Sequence, residues 1–338
     1  SAGAATSLKF ADTVALANGD QATSMAGDVE LAGLTFTCVD GLTIGALTLS
    51  GGAVTLDSTA GNIAITTIAG GSQDLLLAAG IAAGTTTVTG AVSALGDGTG
   101  PCLTVDTLVT GLVDFQSTFA GTSGITAGAG TSLKFAGNVT LADGDTATNM
   151  AGAVELSGLI FSCYDGFTIG GATTLSTAAV SIDTNNNANI TFTGTVNGAF
   201  GLTADAGTGT IAFSSTVGNT APLGAMSLTS NELTIAAAVV GTTTLLMQPT
   251  TIDRGIGIAG GTGDYDITAV EIGRLSGFST GITIGRSNGT GTITINAIAF
   301  TDPMTIQSGG TSGSITIADV ISTTNKAMTF TAGSGASG

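Results

Sequence analysis

Gly281-Ile-Thr-Ile-Gly-Arg-Ser-Asn-Gly-Thr-Gly-Thr-Ile-Thr-Ile295 is followed by Met304-Thr-Ile306 and then by Ile315-Thr-Ile317. Each apolar–Thr–apolar triplet turns two side chains to one face of a strand and a β-branched Thr to the other. The spacing is what decides the fold. Ile282 and Met304 stand 22 residues apart, as do Ile284 and Ile306, Ile293 and Ile315, and Ile295 and Ile317. Short strands returning at a constant interval, each too short for an independent hairpin sheet, read as successive coils of a parallel β-helix. Stacking in register sets Ile on Met or Ile, so Ile284, Ile306, Ile295 and Ile317 are expected to line one apolar core together with Phe36 and Phe161.

The same logic operates on a longer scale. Residues 7–57 return at 132–183, and over the first 39 aligned positions 27 are identical, among them Lys9/Lys134, Glu30/Glu155 and Cys38/Cys163. The chain is therefore read as one β-solenoid over residues 1–338, with 7–127 and 132–250 homologous and 251–338 forming further coils of about 22 residues. Turn dipeptides separate the strands: Asn18-Gly19, Asp40-Gly41, Asp143-Gly144, Asp165-Gly166 and Asn288-Gly289. They suit corners where the backbone enters conformations that Gly, Asn and Asp adopt at low cost.

Composition agrees. The chain has 54 Gly, only 9% charged residues, four Pro, and neither His nor Trp. A mean hydropathy of +0.51 excludes disorder, and glycine without a three-residue period excludes collagen. Apolar runs are too short for a membrane helix, and two Tyr cannot supply the aromatic girdles of a membrane barrel. The net charge is −17, from 23 acids against six Lys and Arg. Phosphate backbones need clustered cations, so nucleic acid is excluded as a partner.

The C-terminal half carries a familiar pattern. Thr193-Gly-Thr-Val-Asn-Gly198, Gly201-Leu-Thr-Ala-Asp-Ala-Gly-Thr-Gly-Thr210, Val217–Thr229 and Gly281–Ile295 resemble the repeats of filamentous-haemagglutinin-type large exoproteins, over about residues 130–335 and through the internal repeat over most of the chain. The resemblance implies a right-handed parallel β-helix displayed outside the cell as an adhesive or scaffolding shaft. The secretion domain that opens members of that family is not found here, and Ser1-Ala-Gly-Ala-Ala is not a signal peptide.

Candidate chemistry is sparse. Without His the usual general base is missing, and Arg254, Arg274 and Arg286 are isolated, so no catalytic residue is assigned and no enzyme is expected. Gly260-Gly-Thr-Gly-Asp-Tyr-Asp266 approaches a calcium-binding nonapeptide, but Tyr265 stands where a ligand Asp belongs and the motif occurs once. Asp143-Gly-Asp145 matches Asn18-Gly-Asp20 in the other repeat and so loses a carboxylate. The expectation is no cofactor and no metal, with Ca2+ the nearest alternative. Cys38 and Cys163 fall in phase with inward Leu and Phe and read as buried core thiols. Cys102, which has no repeat partner, is the candidate for an intermolecular disulfide.

These features point to a non-enzymatic extracellular structural or adhesive protein, a self-assembling subunit of a cell-surface filament, sheath, layer or biofilm matrix. Its main partner would be copies of itself, with cell-surface carbohydrate second. The alternative is an adhesin shaft, or a carbohydrate- or ice-binding module built on Thr85-Thr-Thr87 and Thr242-Thr-Thr244, acting without polymerising.

Overall fold

The computed structural model describes residues 1–16, 21–78, 84–142 and 145–334. The turn dipeptides Asn18-Gly19 and Asp143-Gly144 lie outside these residues. Among the described residues the protein is all-β apart from one short α-helix, Ala269–Ile272, and the described pairings are parallel throughout. It is a β-solenoid whose coils return close to the interval read from the sequence. It forms two compact units, Ser1–Thr174 and Leu175–Gly338.

In the first unit each coil lays down three short strands on three faces. Ser7–Phe10 and Asp28–Ala32 belong to the first face, Val14–Ala15 and Thr35–Cys38 to the second, and Thr23–Met25 and the start of Leu42–Ser50 to the third. The third face shows the core column directly. Met25, Ile44, Ile65, Val88, Phe115, Phe135 and Leu156 stack in register, with the shortest coil running from Met25 to Ile44 and the longest from Val88 to Phe115. Every member of this column is buried. Strand alternation sends every second side chain inward, and the parallel register sets each on its counterpart in the next coil. Aromatic rings extend the column. Phe115 and Phe135 stack at 5.4 Å with 12° between planes, while Phe119 and Phe161 meet Phe135 edge-on.

The coil lengths have a consequence that the repeat alone does not reveal. Leu8 lies on the first face and its counterpart Leu133 on the third. Val14 lies on the second and Val139 on the first; Met25 lies on the third and Met150 on the second. The offset between the two copies amounts to five coils and two further faces. The duplicated sequence therefore presents the same outward residues in two directions. Lys9 pairs with Glu30 at 2.7 Å on the first face, and Lys134 with Glu155 at 3.1 Å on the third. Lys9 and Ser50 together hold the Glu30 carboxyl below its ordinary range. Such exposed pairs contribute little stability; they do relieve charge where one coil meets the next.

The second unit keeps the architecture. Val180, Leu202, Met226, Leu245, Ile282, Met304 and Met328 form one register column, regular except for a long excursion between Leu245 and Ile282. The sequence register holds pair by pair: Ile282 on Met304, Ile284 on Ile306, Ile293 on Ile315 and Ile295 on Ile317. Phe36, Phe161, Ile284, Ile306 and Ile295 are buried as expected. Ile317 is not; it is 49% exposed. Its strand Ser314–Ile317 pairs with Thr292–Ile295 and, among the described residues, with no other strand.

Corners are tied from coil to coil by asparagine. The Asn62 side-chain oxygen accepts from the Thr85 N–H at 2.8 Å and Asn138 from Ile160 at 3.0 Å, while in the second unit Asn189 accepts from Thr210 at 2.9 Å. Gly41, at φ +111°, takes a corner where an L side chain would be strained.

Alternation can be tested at one site. Ile295 is fully buried and Thr294 half-exposed. Ile295→Asp should cost more than about 3 kcal/mol, because it buries an unpaired carboxylate. Thr294→Asp should cost less than about 1 kcal/mol. Denaturant melts of both variants check this, and equal losses would place the alternation out of phase.

Candidate functional site

The outermost described coils of each unit carry apolar side chains that no described strand covers. In the first unit Ser7–Phe10 pairs only with Asp28–Ala32, and Val14–Ala15 only with Thr35–Cys38, among the described residues. A cavity of about 280 Å3 is lined by Leu8, Phe10, Val14, Leu16, Met25 and Phe36. In the second unit Met328–Ala332 pairs, among the described residues, only with Met304–Ser308, and Ile317, Val320 and Phe330 are exposed. A strand edge beside exposed apolar side chains is a surface onto which a further strand, of the same protein or of another copy, packs.

The other departure from regularity is the long excursion between Leu245 and Ile282. Here the chain lays down Ile256–Ile258 and then, after a short glycine-rich turn, Tyr265–Ile267 parallel to it, with Ile256 opposite Tyr265. Adjacent parallel strands usually need a crossover of a dozen residues or more. The Gly-Gly-Thr-Gly run makes the short return feasible by close backbone approach. A Cβ on Gly263 would collide with the Gly257 nitrogen, and one on Gly261 with the Thr294 carbonyl oxygen. The glycines that suggested a calcium loop thus have a packing role. Tyr265 points inward and is fully buried beside Ser230, with burial pushing its hydroxyl pKa up, while Asp264 and Asp266 lie exposed. Among the described residues no group of three or more acids or cysteines converges on a point that could hold an ion. Asp143 of the second calcium candidate lies outside them.

Above Glu232–Ile235 the next strand is displaced, and two side chains take its place. The Glu271 carboxylate accepts the Ile235 N–H at 2.9 Å, and Arg274 donates to the Ile235 carbonyl. The second Glu271 oxygen accepts from the Thr268 N–H at 3.0 Å, closing a capping box on the short helix. The other two arginines serve the same segment. Arg286 donates to the Pro249 and Thr250 carbonyls at 2.9 and 3.0 Å, and Arg254 to the Asp264 carbonyl at 3.1 Å. The three guanidinium groups all hold backbone carbonyls. Sequence reading missed this role, although Thr268-Ala-Val-Glu271 is a legible helix start.

All three cysteines are buried and none is in a disulfide among the described residues. Cys38 and Cys163 lie on the second and first faces, each 3.7 Å from a backbone oxygen, of Asp57 and Asp165 respectively. Cys102 occupies a hole made by two glycines. A Cβ on Gly121 would come within 2.5 Å of its sulfur, and one on Gly96 within 2.6 Å of its Cβ. Burial pushes its pKa up to about 12, so the nucleophilic thiolate is suppressed. A bridge from Cys102 to another chain requires this corner to open.

The two triple-Thr runs differ: Thr86 points into the core and is 1% exposed between half-exposed Thr85 and Thr87, whereas Thr242, Thr243 and Thr244 are all exposed.

Native protein at pH 8 should leave all three cysteines unlabelled by a thiol reagent, with full labelling in denaturant; rapid native labelling of Cys102 would show that its corner opens. Glu271→Ala should orphan the Ile235 N–H and lose the helix cap, lowering stability by about 2–4 kcal/mol in denaturant melts.

No family model, no curated protein and no solved structure matches the chain, so its likeness to filamentous-haemagglutinin-type exoproteins rests on the repeat pattern alone.

Proposed function

We propose that the protein is a non-enzymatic structural or adhesive element of the cell exterior that assembles coil on coil with copies of itself into a filament, sheath or layer. The coil-on-coil register carries this reading. Within each unit every contact along the ladder joins two coils of nearly the same pattern, so the surface complementary to a coil is another coil. The cavity lined by Leu8, Phe10 and Phe36 is apolar, as are Ile317, Val320 and Phe330. A strand edge brought against a strand edge would satisfy backbone groups and cover those side chains together. A contact of this kind is heterologous and propagates unless curvature closes it. The adhesin-like repeat pattern and the low share of charged residues support display outside the cell.

A second reading has its own support. In the second unit Ser181, Thr203, Ser227, Leu246, Thr283, Thr305 and Thr329 form one outward column in register, with a hydroxyl at every position but Leu246. Such a ladder suits an adhesive shaft or a carbohydrate- or ice-binding face that acts without polymerising.

Sedimentation velocity across a wide concentration range and electron microscopy separate the two. Assembly predicts concentration-dependent polymers, with Val320→Asp and Phe330→Asp each shifting the distribution to monomer while leaving the thermal midpoint nearly unchanged. A wild-type chain that stays monomeric throughout sinks the assembly reading and leaves the shaft.

A further inference from the structure

The long coil between Val88 and Phe115 builds two projecting loops, and they stand on opposite sides of the second face of the first unit. Residues 96–101 form one rim. It is braced by the Asp97 N–H on Asp74 at 3.2 Å, by Thr99 on the Asp97 carboxylate, and by the Gly100 N–H on Asp145 at 2.9 Å. Residues 106–110 form the other, turned by the Leu108 N–H on the Asp106 carboxylate at 2.9 Å. Between them lie two concavities that share Thr104. One, of about 280 Å3, is bounded by Thr55, Asp74, Leu76 and Pro101; the other, of about 330 Å3, by Asp106, Thr126 and Ala151. The floor is the outward column Thr55, Leu76, Thr104 and Thr126, one residue per coil.

We propose that this groove is the docking site of an extended basic polypeptide segment of a partner. Charge complementarity is the first reason. Asp74 and Asp106 line the groove, Asp57 projects from the strand carrying Thr55, and no Lys or Arg lines either concavity. The two lysines of this unit are on the other faces, committed to Glu30 and Glu155. Burial raises the pKa of Asp57, with the Asp106 charge adding to it, and burial likewise raises that of Asp74. These carboxylates are partly dehydrated without a cation to compensate, which an incoming ammonium or guanidinium would supply.

The floor supplies the second reason. Leu76, Pro101 and the Thr methyl groups offer an apolar track for the stems of long basic side chains. The groove holds no aromatic ring on which a sugar could stack, and its acids do not converge on one ion. Four coils at ~4.8 Å span about 14 Å, the length of roughly four to five residues of extended chain.

Fluorescence anisotropy of a short labelled oligolysine titrated with the full chain tests this. Saturable binding that weakens with salt is expected. The triple variant Asp57→Asn, Asp74→Asn, Asp106→Asn should bind about tenfold more weakly. The control triple Asp253→Asn, Asp264→Asn, Asp266→Asn removes equal charge elsewhere and should bind like wild type. Thr104→Trp fills the groove at constant charge and should abolish binding with the melting temperature retained. Equal losses in the two triple variants would reduce the effect to net charge and overturn the proposal, as would wild-type binding by Thr104→Trp. Tighter binding of an amino-sugar oligomer than of oligolysine would overturn it in favour of a glycan.

Discussion

The parallel ladder, in which each inward side chain rests on a near-identical one in the next coil, is the constraint on which everything else depends. It needs no long strands. Three residues suffice at Thr86–Val88 or Leu103–Val105, because the strand is held by neighbours on both sides rather than by its own length. It tolerates a coil as short as that from Met25 to Ile44 and one as long as that from Val88 to Phe115, provided the extra residues leave the ladder at a corner. Small residues and Thr on the outer faces follow from the same geometry, which asks only for a side chain that fits a pleated surface.

Departures from the ladder show what it demands. Where the strand above Ile235 is displaced, its N–H and C=O are not left unpaired; Glu271 and Arg274 reach in to serve as acceptor and donor. A buried carboxylate and a guanidinium are costly to place in an interior, and each is tolerable here because it meets a backbone group of opposite polarity. The glycine run at residues 260–263 solves a related problem by removing side chains where two strands return too closely for a Cβ. Irregularity in this protein is thus organised around backbone satisfaction, and the acid-rimmed groove of the first unit arises from the same habit of sending extra residues out at the corners.

A repeat detected in sequence is commonly taken to repeat a surface. Here it does not, since the offset between the copies is not a whole number of coils. The Lys–Glu pair of the first copy and that of the second face different directions, while the inward residues of both copies remain inward. Duplication preserved the core chemistry because all three faces ask the same of an inward residue, and it rearranged the exterior.

Local alternation and the constant return interval determined, from the sequence alone, that the chain is all-β, that its strands stack in parallel, and that Ile284 meets Ile306 and Ile295 meets Ile317. Each of those properties is written in neighbouring residues or in one fixed interval. The sequence also marked Cys38 and Cys163 as interior by their phase with Leu and Phe. Tertiary structure decided the rest. Which face each repeat occupies depends on the summed lengths of all intervening coils. Cys102 is interior because Gly96 and Gly121, from other parts of its coil and the next, leave room for its sulfur. Ile317 is exposed although it obeys the register, because burial requires a coil on both sides and pattern specifies only one. The roles of Glu271 and the three arginines, and the groove framed by residues 96–101 and 106–110 over a floor of residues from four coils, arise where segments distant in sequence meet, and no local interval encodes that meeting.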